Sequence, residues 1–136
     1  MLIDWTGEFD RWYDQLIERA VGGDERSLEQ LALVDAELGV LQELTAVPDA
    51  DTPTLRRVHQ SRRHQVWRVA HPFSPGTAIR LIVWFPPDRP GEVVLVLFGA
   101  DKARMGDVFY DSVGPRADAA IESYLLRTRT EGDSDE

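Results

Sequence analysis

Ala78-Ile79-Arg80-Leu81-Ile82-Val83-Trp84-Phe85-Pro86-Pro87-Asp88-Arg89-Pro90-Gly91-Glu92-Val93-Val94-Leu95-Val96-Leu97-Phe98 is the stretch whose reading decides the fold. Side chains alternate along an extended chain, so Ile79, Leu81, Val83 and Phe85 share one face and Arg80, Ile82 and Trp84 share the other. The prolines and glycine from Pro86 to Gly91 set a tight turn, which brings the next run back antiparallel. Glu92 to Phe98 is apolar on both faces, as expected of a central strand covered twice. Upstream, Gln65-Val66-Trp67-Arg68-Val69-Ala70-His71 predicts a third strand, with Val66, Arg68 and Ala70 facing away from Trp67 and Val69. Pro72, Ser74, Pro75 and Gly76 form the turn after it.

Before the strands the period changes from two to three and four. Phe9, Trp12, Tyr13, Leu16, Ile17 and Ala20 lie on one helical face. Thr6 is a cap at its start, and Glu8 and Asp10 sit where the helix dipole favours acids. Gly22-Gly23-Asp24 ends that helix, and a second runs from about Glu25 to Leu38. Its stripe is Leu28, Leu31, Ala32, Asp35 and Leu38, with Asp35 the one polar member. Gly39 is its expected C-cap, although residues 40–44 could extend it. The short link makes the pair an antiparallel hairpin. After the strands, Ala117, Ala120, Ile121, Tyr124 and Leu125 predict a last helix from Asp111 or Pro115 to about Leu126. The reading is an α+β domain over 1–126: a helical hairpin, a three-stranded antiparallel sheet and a C-terminal helix. Residues 127–136 read as an acidic, disordered tail.

Composition narrows the function. The 136 residues fit one domain, able to bury a core without disulfides or metals. With no cysteine there is no disulfide framework, thiol nucleophile or cysteine-ligated zinc, which suits a cytoplasmic protein. The start of the chain does not read as a signal peptide, and the longest apolar run, Val93 to Phe98, is too short to cross a bilayer. His59, His64 and His71 lack the spacing and companion carboxylates of a metal site. No nucleophile elbow, Walker loop or dinucleotide fingerprint occurs, so no cofactor is expected.

The net charge of −9 conceals an asymmetry. Residues 1–51 hold 13 acids against 3 bases, residues 52–104 hold 9 bases against 3 acids, and residues 105–136 hold 8 acids against 3 bases. The basic material is Arg56, Arg57, His59, Arg62, Arg63 and His64, then Arg68 and His71, then Arg80, Lys102 and Arg104. Local potential governs binding, and neighbouring strands lie about 5 Å apart, so one sheet face can gather cations distant in sequence. Arginine stays charged and matches phosphate oxygens with a planar fork. An anionic partner is therefore expected, and a solvated charge face is the plainer alternative.

The same order of elements resembles the RelE/HigB superfamily of bacterial toxins, and within it the phage-Gp49-like branch. Three stretches carry the resemblance. Phe9-Asp10-Arg11-Trp12 is similar to the F-x-x-W/F-L helix start. Ser61-Arg62-Arg63-His64-Gln65-Val66-Trp67-Arg68 is similar to the S-R-H-x-x-W-E-L-R lead-in to the first strand. Phe98-Gly99-Ala100-Asp101-Lys102 through Tyr110 is similar to the G-G-D-K…W-Y exit from the last strand. The resemblance implies ribosome-dependent mRNA cleavage, blocked by a cognate antitoxin, a small helix-turn-helix protein. It further implies a catalytic set of Arg68, Arg80, Arg104 and Tyr110, with Arg56, Arg57, His59, Arg62, Arg63, His64 and Lys102 as RNA contacts. One position departs: Ala70 stands where a second basic residue is expected.

The chemistry can be written from first principles. Attack by the RNA's own 2′-hydroxyl needs a base for that proton, cations for the pentavalent phosphorane, and an acid for the leaving 5′-oxygen. Arg80 and Arg104 suit the phosphate, Arg68 the orientation of the strand, and Tyr110 base stacking or proton transfer. The base has no candidate, because Ala70 carries no titratable group. Two rivals stay open: a non-catalytic module binding RNA, the ribosome or a gyrase-like protein, and an unrelated regulator using its acidic helices.

Overall fold

The computed structural model describes residues 1–58, 63–69, 79–101 and 107–134, and within the last stretch the side chains of 113–129. The elements run β1 (Leu2–Trp5), α1 (Gly7–Val21), α2 (Glu25–Glu43), β2 (Leu55–Arg57), β3 (Val66–Val69), β4 (Ile79–Trp84), β5 (Val93–Asp101) and α3 (Asp107–Ser134). The helical hairpin, the strand meander β3–β4–β5 and the C-terminal helix follow the order expected. The sheet does not stop at three strands. It has five, in the order β1-β5-β4-β3-β2, and it is mixed because β1 runs parallel to β5.

Strand β5 is buried along all nine residues. On one face, Val94 and Val96 join Leu81, Val83, Trp67 and Val69 against Phe9 and Leu16 of α1 and Val34 and Leu41 of α2. On the other, Leu95, Leu97 and Phe98 join Ile82 and Trp84 against Val113, Ala117 and Ile121 of α3. A β-bulge makes this possible. Ile82 pairs with Phe98 but Val83 pairs with Val96, so Leu97 is an extra residue in the ladder. Leu97 and Phe98, adjacent in sequence, therefore pack in the same cluster.

Helix α1 is tied to that strand by one side chain. Thr6 Oγ1 accepts from the Phe9 amide at 3.1 Å, capping the helix, and donates to the Leu97 carbonyl at 2.6 Å. Phe9 and Leu16 are fully buried behind it, each contributing about 1.5–3 kcal/mol of apolar burial. Between the helices the Tyr13 hydroxyl donates to Asp35 at 2.6 Å, which explains the polar member of the second stripe. Burial first, and the Asp35 carboxylate second, push the Tyr13 phenol up to about 12. Gly23 takes φ 97° in the link, a conformation that glycine adopts without a Cβ penalty.

Helix α2 differs from its expected form in two respects. Gly39 lies inside it, and Leu44 is the C-cap. Its buried stripe is Ser27, Gln30, Val34, Glu37 and Leu41, while Leu28 is 50% exposed. The polar members explain the shift. Gln30 donates to buried Asp101 at the end of β5 at 2.9 Å, and Arg26 donates to the same oxygen at 3.3 Å. Ser27 Oγ donates to Asp24 at 2.6 Å. Gln30 thus faces the sheet where a strand end offers it a partner, and Ser27 bonds the start of its own helix. Helix α3 starts earlier than expected, at Asp107, passes through Pro115 and continues beyond Leu126 to Ser134.

Gly99 shows how closely α1 is seated on the sheet. A Cβ there would stand 2.8 Å from Leu81 Cδ2 and 2.9 Å from the Trp12 ring. Leu81 is fully buried, and the half-buried Trp12 ring would have to shift to admit the methyl group. Gly99→Ala is expected to destabilise the protein by about 1–3 kcal/mol in equilibrium urea unfolding. An unchanged midpoint would show that Trp12 is not wedged over β5.

Candidate nucleic-acid interface

Register places the arginines of the sheet. Arg56 of β2 pairs with Arg68 of β3, Arg68 with Ile82 of β4, and Ile82 with Phe98 of β5. Residues in register across neighbouring strands share a face, so these four form one row on the face that α3 packs against. Exposure rises along the row: Phe98 and Ile82 are buried, Arg68 is half-buried and Arg56 is exposed. Arg80 lies two residues before Ile82, on the same face, diagonal to Arg68. The register thus gathers Arg56, Arg68 and Arg80 on one part of this face.

A fourth cation borders the row from above, and the sequence pattern does not single it out. Arg116 of α3 places its guanidinium 4.0 Å from the centre of the Phe98 ring. Its Nε donates to Glu8 at 3.0 Å, and the two side chains form an ion pair. Only the packing of α3 over β5 brings it there. Arg116 belongs to a helix whose own periodicity marks just its apolar stripe.

The other expected contacts divide. Arg57 falls on the opposite face, because alternation along β2 puts it in register with Trp67. Its guanidinium lies 5.4 Å from the Trp67 ring and donates to the Asp49 carbonyl. Arg63 is ion-paired with Glu122 of α3, which raises its pKa above the usual arginine value. His64 meets the Trp84 ring edge-on at 5.6 Å. Tyr110 does not precede the last helix but lies within its first turns, and its side chain falls outside the described residues. His59, Arg62, Ala70, His71, Lys102 and Arg104 also lie outside them. The structure thus brings together Arg56, Arg68 and Arg80, and separates Arg57 from them.

Arg80 has a second relationship that no sequence pattern announces. Its Nη1 donates to the Ile79 carbonyl at 2.9 Å, while its Nε is buried without a partner among the described residues. Its charge is felt by Glu37 of α2, which has 0% exposure and two carboxylate oxygens with no hydrogen-bond partner among the described residues. Burial penalises the ionised form and pushes the Glu37 carboxyl up to about 9; Arg80 pulls it down and is outweighed. Glu37 is consequently a neutral acid in the core at pH 7.

No family model, no curated protein and no solved structure matches the chain.

The Glu37 carboxyl makes stability depend on pH with a definite sign. Unfolded, it releases its proton near the ordinary value of 4.5; folded, it holds it until about 9. Its contribution is complete below the lower value and is lost as pH rises toward the upper one, with a slope approaching about 1.4 kcal/mol per pH unit. Glu37→Gln removes that proton. The variant is expected to flatten the stability profile between the two values and to exceed the parent at the alkaline end, by urea unfolding at a series of pH values. Identical profiles for the two proteins would contradict this.

Proposed function

We propose that the chain is the toxin of a toxin–antitoxin pair, a RelE-like domain that binds messenger RNA on the ribosome and cleaves it. The observation that carries this reading is the arginine row. Arg56 and Arg68 stand in direct register, Arg80 lies diagonal to Arg68, and Arg68 and Arg80 border the apolar positions Ile82 and Phe98. A cation at the edge of a floor that excludes water acts more strongly on a phosphate than one in bulk solvent. The helical hairpin, the meander β3–β4–β5 and the C-terminal helix agree with the element order of that family.

On this reading the 2′-hydroxyl of one nucleotide attacks the adjacent phosphorus. The bond from phosphorus to the 5′-oxygen breaks, leaving a 2′,3′-cyclic phosphate and a 5′-hydroxyl end. Arg80 and Arg104 bear the charge that grows on the phosphoryl oxygens, and Arg68 orients the strand. Tyr110 stacks a base or relays a proton. Arg56, His59, Arg62, Arg63, His64 and Lys102 extend the contact along the RNA. A cognate helix-turn-helix antitoxin covers this face in the resting cytoplasm, with no metal or cofactor taking part.

One observation favours a second reading, in which the face binds RNA without cutting it. On the β2, β3 and β4 part of that face the described positions are Arg56, Val66, Arg68, Arg80, Ile82 and Trp84, and none carries a general base. Asp4, on the same face, lies at the opposite edge in β1 and accepts from Tyr124 at 3.1 Å. Guanidinium groups stay protonated and cannot take the 2′-hydroxyl proton.

Purified ribosomes carrying a defined mRNA separate the two. Primer extension should reveal new 5′ ends with the parent protein, and Arg68→Gln and Arg80→Gln should each reduce them by about 10²-fold or more while leaving the circular dichroism spectrum intact. Ends formed equally by all three proteins would refute the site. Co-sedimentation of the parent with ribosomes, without new ends, would establish the second reading.

A further inference from the structure

Cleavage through the 2′-hydroxyl needs a base, and the described positions of β2, β3 and β4 on the α3 face hold none. The helix above them carries a carboxylate. Val113, Ala117 and Ile121 bury one face of α3 against Ile82, Leu97 and Phe98. Residues step by about 100° around a helix, so Arg116 and Asp118, on either side of Ala117 in sequence, leave α3 on opposite flanks. Contacts fix which flank is which. Arg116 donates to Glu8 at the start of α1, just after β1 ends. Asp118 accepts from the Arg63 backbone amide at 3.4 Å, in the connection from β2 to β3. Strands β1 and β2 are the two edges of the sheet, so Asp118 looks toward the edge that carries Arg56 and Arg68.

Its level along the sheet follows from its neighbours. The Arg116 guanidinium lies over Phe98, which stands in one row with Ile82, Arg68 and Arg56. Further along α3, Tyr124 bonds Asp4, which is in register with Leu95. Asp118 falls between these two levels and nearer the first, only about 3 Å of helix rise from Arg116. The half-buried Asp118 carboxylate therefore hangs from the flank of α3 that faces Arg68 and Arg56 along their own row. Glu122, one turn further on the same flank, ion-pairs with the Arg63 side chain and so tethers the β2–β3 connection beside it.

We infer that Asp118 is the general base of the RNA cleavage proposed above, on which reading this role rests. As the 2′-oxygen bonds to phosphorus, its proton passes to an Asp118 carboxylate oxygen. The electron pair of the bond from phosphorus to the 5′-oxygen leaves with that oxygen, which takes a proton from water. Asp118 then returns its proton to solvent. Arg80 bears the charge that grows on the phosphoryl oxygens, with Arg68 orienting the strand beside it. A carboxylate next to a phosphate site opposes binding by like charge, so removing it separates a catalytic role from that of a mere counter-charge.

Two measurements test this together. One is the single-turnover cleavage rate on ribosomes carrying a defined mRNA, with the protein in excess. The other is affinity for the same RNA bearing a 2′-deoxynucleotide at the cut site, which cannot react. Asp118→Asn is expected to lower the rate about 10²-fold or more and to bind the unreactive RNA at least as tightly as the parent. Glu122→Gln, which removes the neighbouring contact with Arg63, should cut at about the parent rate. Asp118→Asn cutting as fast as the parent, or faster, overturns the inference and leaves the RNA-cleaving reading standing, with Asp118 a counter-charge. Equal losses in Asp118→Asn and Glu122→Gln, or a loss matched by weaker binding of the unreactive RNA, overturn it as well. No cleavage by the parent overturns both the base and the reading it rests on. Should Asp118→Asn fail to fold, the carboxyl carbon resonance of Asp118 in the isotopically labelled parent decides: it shifts when the unreactive RNA binds, or the base is refuted.

Discussion

Strand β5 carries nine consecutive residues without an exposed position, so it needs cover on both faces and hydrogen-bonding partners along both edges. The elements around it answer those needs. The α1–α2 hairpin covers one face and α3 the other, while β4 and β1 satisfy the two edges. Thr6 joins two of these roles, capping α1 while bonding the Leu97 carbonyl. The bulge at Leu97 follows from the same demand, since it puts Leu97 and Phe98 together beneath α3.

Charge is distributed by that constraint. With most of the β5–β4 half of the sheet occupied by apolar packing, arginines on the α3 face fall at the start of β4 (Arg80) and on β3 and β2, with exposure rising from Ile82 to Arg56. Arg56 and Arg68 stand directly opposite each other across β2 and β3 on that face. Glu37 is a carboxyl in the core with no hydrogen-bond partner among the described residues, kept neutral by its surroundings. Arg80 opposes that shift and is outweighed by burial.

The parts of the fold legible in the sequence are those with strong local periodicity. Phe9, Leu16 and Ala20 mark α1 unambiguously, and the apolar runs and turn residues mark β3, β4 and β5. Strand β1 leaves no such mark. It has four residues, three of them exposed, and is held by pairing of Leu2 through Trp5 with Val93 through Val96, far away along the chain. Strand β2 is three residues long and two are arginines, so composition reads it as a basic loop. The α2 stripe escapes periodicity because its sheet-facing positions include Ser27, Gln30 and Glu37, whose burial depends on partners and surroundings from elsewhere in the fold. Within the site, Arg68 and Arg80 follow from alternation alone. Separating Arg57 from Arg56 requires knowing that those residues form a strand, and Arg116 requires the docking of α3.

The central claim is that the arginine row of β2, β3 and β4 is a phosphate-binding surface. The most direct measurement is the salt dependence of affinity for a short single-stranded RNA, from about 50 to about 200 mM, for the parent and for the triple variant Arg56→Gln, Arg68→Gln, Arg80→Gln. For a single strand, each phosphate that is no longer neutralised should reduce the slope of log affinity against log salt by about 0.7, so the triple variant should be flatter by about two. Equal slopes for the two proteins, with the variant folded, would show that the row does not touch phosphate.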